Sequence, residues 1–528
     1  MLPHWKIAAR NWRKCWRIGY SFASTIISRI PTIPAFLKVQ NRLLAMLPIP
    51  NRPIMSTQYK TLIRCLEKQL PRDAILTGEE SLRPFECDAL PAYQQLPMVV
   101  VLPRTVEEIQ AIMGICHALR VPVVARGGGT GVCAGALPHE SGVLLGLSRL
   151  SALLDIDPRN RVARVQPGVR NLAISEAAAP YGLYYAPDPS SQLACTIGGN
   201  IAENSGGVHC LKYGLTTHNV LKLKVVTVEG NLLEIGGDAP DSPGYDLLAL
   251  MTGSEGMLGI VVEVTVRLLP IAECVRMVLA TFDDVEKAAI AVGEIIAAGI
   301  IPAGLEMMDN LIIRAAEDFV HAGYPTDAAA ILLCDMDGAP EEVAEGIDAV
   351  RTLLLRGGAT DARVARDEAE RQLFWLGRKS AFPAAGRLAS DYYCMDGTIP
   401  RHRLPEVLIR ISALSHRYDL PVANVFHAGD GNLHPLIIYD ANKPGHQARA
   451  EKLGGEILEL CVAVGGTITG EHGVGVEKLD QMCVQFSPQE LSQFLSVKDA
   501  FDPEGLLNPG KGIPTPRHCA EYRTLSGA

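Results

Sequence analysis

The side chains best suited to chemistry lie late in the chain. His427-Ala428-Gly429-Asp430-Gly431-Asn432-Leu433-His434 is followed downstream by Glu471-His472-Gly473. Asp-Gly is a turn signal, so a tight reversal is predicted to bring His427 and His434 to one point. With Glu471 they make a two-histidine, one-carboxylate set, which suits zinc, iron or manganese with positions left open for substrate. His472 is then free to act as a general base.

Three glycine-rich stretches precede it. Arg126-Gly127-Gly128-Gly129-Thr130-Gly131 follows a predicted strand and continues to Gly135. Glycines there let the backbone approach a phosphate and point several N–H groups at it. Gly129-x-Gly131-x-x-Ala134 formally satisfies the dinucleotide fingerprint, but that fingerprint needs a helix directly after it. Pro138, Gly142 and the apolar run at 143–147 leave no room for one, so a pyrophosphate loop of another kind is expected. The second stretch holds Pro187-Asp188-Pro189, Gly198-Gly199-Asn200 and Asn204-Ser205-Gly206-Gly207, and the third runs from Gly253 through Glu255 to Gly259-Ile260. Such density of Gly, Asn and Ser makes a poor core, so these stretches are expected to wrap something polar and flat.

The elements that must position these residues alternate. An apolar strand at 98–102 is followed by the capping box Thr105-x-x-Glu108 and by Ile109, Ile112, Met113, Cys116 and Leu119 at helical spacing. Further strands are predicted at 121–125, 143–147, 162–165 and 260–268, with a helix at 171–179 and a hairpin across Glu229-Gly230. After Pro270 the pattern becomes strand (275–282), helix (283–298) and strand near Leu305. It repeats as 329–336, 340–355 and a strand near Ala362. Two such halves predict a split βαβ sheet with its helices on one face.

Composition narrows the class. The 528 residues carry 49 Lys plus Arg against 58 Asp plus Glu, a formal charge of −9, with 48% hydrophobic and 20% charged residues. That is globular protein with core enough for about three folding units. Residues 1–54 hold nine basic groups and no acid, with Trp5, Trp12 and Trp16, leaving 40 basic against 58 acidic groups beyond. The acidic body argues against nucleic acid. The tail has the composition of a targeting or surface-anchoring peptide, and equally of a mis-set start ahead of Met55. The 13 cysteines are scattered without a Cys-x-x-Cys pair, which predicts reduced thiols and no cysteine-ligated cluster. No run of 18 apolar residues exists to span a membrane.

Taken in order, the glycine loop, Pro187-Asp188-Pro189, Gly198-Gly199-Asn200, the His427–His434 segment, Glu471-His472-Gly473 and the terminal Leu507-Asn508-Pro509-Gly510-Lys511 resemble a known family. It is the FAD-linked 2-hydroxy-acid dehydrogenases of the vanillyl-alcohol-oxidase (PCMH-type) superfamily, on the branch of the bacterial glycolate oxidase FAD subunits. The resemblance runs from about Gln58 to Arg517. It implies an α+β fold: a two-lobed PCMH-type FAD-binding domain, a ferredoxin-like α+β cap for substrate, and a C-terminal segment returning to the FAD domain. The expected divisions are a basic extension at 1–54, an N-terminal part of the FAD domain at 55–95, the FAD domain at 96–272, the cap at 273–425, a metal-site segment at 426–517 and a tail at 518–528.

The resemblance implies non-covalent FAD, since the glycine loop lacks the histidine that tethers flavin in some relatives. Arg126, Gly127, Gly128, Gly129, Thr130 and Gly131 would take the pyrophosphate. Pro187, Asp188, Gly198, Gly199, Asn200, Asn204, Gly206, Gly207, Glu255, Gly259, Ile260 and Asn508 would line the rest of the cofactor. His427, His434 and Glu471 would hold a divalent metal, zinc foremost, with iron or manganese as alternatives. Arg378 would pair with the substrate carboxylate through its forked guanidinium. His472 would take the hydroxyl proton while the Cα hydrogen leaves as hydride, or abstract the Cα proton in a carbanion route. Relatives that act on 2-hydroxyglutarate hold its distal carboxylate partly with a lysine, where this chain has Cys394. That favours a short acid, glycolate or D-lactate. Electrons would leave through a second flavin subunit and an iron–sulfur subunit towards quinones. The protein would then be cytoplasmic, reaching the inner membrane through those partners. A flavin-free metallohydrolase built on the same histidines would leave the glycine stretches without a role, and a non-catalytic flavin-binding scaffold would leave His472 without one.

Overall fold

Valine-rich runs bounded by turn residues build the first sheet of the protein, seen here in a computed structural model that describes residues 57–239 and 244–526. The basic segment 1–54 and the question of its start lie outside the described residues. Strands β1 (Ile75–Leu76), β2 (Val99–Val101), β3 (Val123–Arg126) and β4 (Val143–Gly146) form a sheet ordered β1-β2-β4-β3. The last three are parallel. Between β2 and β3 runs helix α1 (Val106–Leu119), started by the Thr105 side chain accepting the Glu108 N–H at 3.2 Å. The Glu108 carboxylate accepts from the Arg104 N–H instead of closing the expected box on Thr105. Ile109, Ile112, Met113 and Cys116 of α1 are buried against Val99, Val101, Val123 and Val143. Full burial stabilises each large apolar side chain by about 1.5–3 kcal/mol. The exposed edge of β3 is covered from the C-terminus: Val123 N–H donates to Leu506, and Asn508 N–H to Val123.

The second lobe is an antiparallel sheet of β5 (Leu153–Asp157), β6 (Val162–Val165), β7 (Val220–Val226), β8 (Leu232–Gly236) and β9 (Ile260–Arg267), ordered β5-β6-β9-β7-β8. The predicted hairpin across Glu229-Gly230 is β7–β8, with Gly230 at φ +90°.

The third sheet has seven strands: β10 (Cys274–Phe282), β11 (Gly304–Asp309), β12 (Ala330–Gly338), β13 (Asp361–Val364), β14 (Asp391–Cys394), β15 (Val422–His427) and β16 (Pro435–Tyr439). Their order is β13-β10-β12-β11-β15-β16-β14, all antiparallel. The first four have the ferredoxin-like order, and the last three widen it. Two expectations need correction. Helices cover both faces of this sheet, not one. Val278, Ala280 and Phe282 pack in the cluster containing α2 (Val285–Ala297) and α4 (Pro340–Arg356). Met277, Leu279, Ile331 and Leu333 pack with α3 (Asn310–Val320) and α5 (Glu368–Lys379). The unbroken apolar runs of β10 and β12 were the signal, because both side-chain parities had to be buried. The boundary at 425/426 also cuts through β15. The hairpin carrying both histidines is part of the cap sheet, and α6 (His446–Ala463) packs on it. The cap therefore extends well beyond residue 425.

A third correction concerns the thiols. Cys483 and Cys519 form a disulfide that ties the helix Pro516–Ser526 to the helix Leu479–Gln485. The scattered spacing hid a pair that only the fold brings together. The other cysteines among the described residues are free.

Candidate active site

Strand register places the first site group. Glu306 on β11 stands opposite His427 at the end of β15, and its Oε1 lies 2.8 Å from His427 Nδ1. That carboxylate orients the ring and directs Nε2 outward, an arrangement common behind metal-bound histidines. The chain then reverses through Asp430-Gly431, where Gly431 takes φ +82° and His427 N–H donates to Asn432. His434 emerges directly before β16. Its Nε2 is 3.4 Å from Glu471 Oε1, and His427 Nε2 is 3.3 Å from the same oxygen. Both distances match the roughly 3.3 Å between ligand atoms of a tetrahedral zinc, and one donor atom from each of the three residues lies within 4.8 Å of the others, so the set could hold one ion.

The loop bearing Glu471 and His472 is moulded on a buried carboxylate. Asp396 accepts the N–H groups of Gly470 at 2.9 Å and His472 at 2.8 Å, and the Thr469 hydroxyl at 2.6 Å. Burial pushes its carboxyl up, but the charges of His472, Lys478 and His434 outweigh this and hold it well below the usual carboxylate range. Lys478, wholly buried, donates to Gly473 O at 2.8 Å and lies 3.5 Å from Asp396. His472 stacks on His434 with ring centroids 4.8 Å apart, and its Nδ1 has no partner. Burial lowers its pKa to about 4, with Asp396 opposing, so the ring is neutral at neutral pH.

One cavity of about 350 Å³ joins these groups to the glycine loop. Gly127, Gly128, Gly129, Thr130, Gly131, Gly198, Gly199, Asn200, Glu255, Gly259 and Ile260 line it, as do His434, Glu471 and His472. None of residues 127–131 spends its backbone N–H on a hydrogen bond among the described residues, which leaves a row of donors fit for a pyrophosphate. A Cβ at Gly128 would stand 2.7 Å from Ala194 O, so the two segments approach too closely for any other residue.

The remaining expected residues sit behind the wall. Arg126 donates to Cys87 O at 2.7 Å. Pro187 O accepts from Asn171 at 3.0 Å, and Asp188 pairs with His209 at 3.0 Å. Asn204 ends the helix Ile197–Glu203 at φ +55°, and Gly206 and Gly207 lie against Cys210 and Asp188. Asn508 donates to Gly135 O and Glu255 O at 3.0 and 2.7 Å, so it braces the lining without joining it. His427 reaches Glu471 from behind. Arg378, on α5, is 1% exposed, with Nη2 2.6 Å from Glu306 Oε2, while its Nε and Nη1 lack a hydrogen-bond partner. Cys394 is buried and outside the lining, so its replacement of a lysine does not leave the cavity without a cation. Lys379, the residue after Arg378, lines it.

Glu306, Asp396, Lys379, Lys478 and Glu203 were not foreseen. Glu306 and Asp396 each interrupt an apolar strand environment, the one signal available before the fold was known.

Residues 97–236 match the family model for an FAD binding domain, and residues 271–512 match that for the C-terminal domain of FAD linked oxidases. Glycolate oxidase subunit GlcD of Escherichia coli (strain K12) is 64% identical over 465 residues, covering 88% of this chain and 93% of that protein. Glycolate oxidase subunit GlcD of Bacillus subtilis (strain 168) is 41% identical over 428 residues, 81% and 91% of the two chains. D-lactate dehydrogenase of Anaerostipes hadrus is 32% identical over 460 residues, 84% and 95%. The solved structure of p-cresol methylhydroxylase with substrate bound superposes with a TM-score of 0.75 at 17% identity, over 87% of this chain and 98% of that one, which shows the shared fold.

Proposed function

The chain belongs to the FAD-linked oxidases, and from that premise we propose that it oxidises a short 2-hydroxy acid to the 2-oxo acid. Glycolate is the foremost substrate, with FAD bound along the glycine-lined cavity. The observation that carries this reading is the shared cavity: the N–H-lined glycine loop and the histidine–carboxylate cluster open onto the same space. D-lactate is the second reading, favoured by the D-lactate dehydrogenase among the relatives.

When bound, FAD supplies the two-electron acceptor, and a divalent ion held by His427, His434 and Glu471 supplies a Lewis acid. The chain's own groups do the rest. The His472 imidazole, on the cavity wall, takes the substrate's hydroxyl proton. Lys379, on the cavity wall, is the cation available to the substrate carboxylate, while Arg378, ion-paired with Glu306 behind the wall, supports the His427 side of the site. Gly127–Gly131 and the segment from Gly198 to Asn200 hold the cofactor, while Asn508 and Glu255 brace them from behind. Reduced flavin must be reoxidised, and the free cysteines among the described residues form no cluster-ligating group. We assign that step to a second flavin subunit and an iron–sulfur subunit. No helix among the described residues is long and apolar enough to cross a membrane, and we assign membrane contact at the cytoplasmic face to those partners.

The test is anaerobic mixing of the FAD-loaded protein with glycolate, D-lactate, L-lactate or D-2-hydroxyglutarate, following flavin absorbance. Bleaching by glycolate, abolished by a chelator that leaves FAD bound and restored by zinc, is expected. Bleaching by D-2-hydroxyglutarate alone overturns the short-acid reading, and bleaching untouched by chelation overturns the metal.

A further inference from the structure

The cavity wall contains an acid that the proposed reaction does not use. Glu203 ends the helix Ile197–Glu203 and lines the cavity beside the glycine loop. Its carboxyl is wedged between two glycines from distant parts of the chain. A Cβ on Gly135 would lie 2.8 Å from Oε1, and one on Gly473 would lie 2.0 Å from Oε2. A second carboxylate, Glu255, and the Cys133 thiol complete the group, with one atom of each within 4.8 Å of the others.

The two carboxyls are supplied unequally. Glu255 accepts the backbone N–H groups of Val474 at 2.7 Å and Gly475 at 2.8 Å, donors that favour a charged carboxylate. Glu203 has only the Cys133 sulfur at 3.9 Å among the described hydrogen bonds. Two buried carboxylates this close do not both ionise, and the donors decide which keeps the proton. The other charges acting on Glu203 are the like charge of Asp88 and the opposite charges of Lys478 and Lys511. Burial, then the Glu255 and Asp88 charges, push the Glu203 carboxyl well above the usual carboxylate range despite the two lysines.

We propose that Glu203 stands in the cavity wall as a neutral carboxylic acid and donates its O–H as a hydrogen bond to an acceptor atom of bound FAD. None of the described hydrogen bonds takes this O–H, Glu203 lines the space beside the phosphate-ready loop, and glycine at 135 and 473 is what admits it. Glu255 has a different role: its two backbone hydrogen bonds hold the segment following His472 against the FAD domain. The inference rests on the FAD-binding reading above.

The experiment measures FAD affinity and the flavin absorbance spectrum of the wild type and of Glu203→Gln, Glu203→Ala and Glu203→Asp, without substrate. Glutamine keeps a neutral donor of the same length, so E203Q is expected to bind FAD within about threefold of wild type with an unchanged spectrum. E203A is expected to bind about tenfold more weakly with a shifted spectrum, the loss of one hydrogen bond to a buried group. E203D, too short to reach, should resemble E203A. The infrared spectrum should show a protonated-carboxyl stretch in the wild type that E203Q lacks. Wild-type protein that takes up no FAD overturns the function reading itself. FAD uptake with E203A equal to wild type, or with E203Q as weak as E203A, overturns only the Glu203 assignment. So does a second equivalent of zinc per chain that E203A loses, since it would make the group a metal site.

Discussion

At His472, burial and charge act against each other, and burial wins: the ring is neutral although the Asp396 carboxylate lies near it. A neutral imidazole on the cavity wall is placed to accept a proton from substrate. His472→Asn keeps the ring's approximate size and its backbone bond to Asp396, and should lower kcat by about 10²–10⁴-fold with FAD content unchanged, measured by steady-state rate and flavin absorbance per chain. Glu306 acts one step further back, through His427 Nδ1. Glu306→Gln should weaken zinc affinity by about 10–100-fold, read by metal titration of the apoprotein, while FAD binding stays unchanged. Equal losses of both ligands would mean that Glu306 holds the fold and not the metal.

Among the elements, loops wrapped around single groups do the positioning. The glycine loop approaches residues 194–199 so closely that Gly128 has no room for a Cβ. Gly128→Ala should cost FAD affinity about 10–100-fold through overpacking at Ala194 O, while far-ultraviolet circular dichroism is retained. The Glu471–His472 loop is shaped by Asp396, which gathers three consecutive backbone N–H groups and a threonine hydroxyl. A loop so held arranges its histidine before substrate arrives, which limits the ordering left to binding.

For the whole molecule, the contact between the FAD side and the cap matters most. Asp188 pairs with His209 at 3.0 Å and with Lys379 of the cap helix α5 at 3.4 Å. Burial raises the Asp188 carboxyl, but these two cations outweigh it and hold it at about 2, below its ordinary 3.8. Its stabilisation is therefore full above about pH 4 and is lost as pH falls towards 2, of the order of 2 kcal/mol. His209, raised by Asp188 against its own burial, contributes below its ordinary 6.5 and loses that contribution as pH rises through its folded value. Asp188→Asn should flatten the fall in denaturant stability between pH 4 and 2; an unchanged profile refutes the assignment. The Cys483–Cys519 disulfide closes a loop with a sequence separation of 36. Peptide mapping of the unreduced protein should recover the linked pair, and Cys519→Ser should lower stability by about 2–4 kcal/mol.

The sequence by itself determined the elements and the kinds of chemistry. Periodicity placed the strands of both lobes except β1 and β5, together with the ferredoxin-like core, and residue types marked the glycine loop, the two histidines and the Glu-His pair. These are local properties: turn residues, apolar period and donor type act within a few positions of one another. Tertiary structure decided what lies opposite what. Cross-strand register set Glu306 against His427, and chain return joined Cys519 to Cys483 and Asn508 to Gly135. It also put Arg378 behind the cavity and Lys379 on its wall, although they are neighbours in sequence. Burial, and with it the charge state of Glu203, Asp396 and His472, exists only once distant segments exclude water together, which no spacing along the chain encodes.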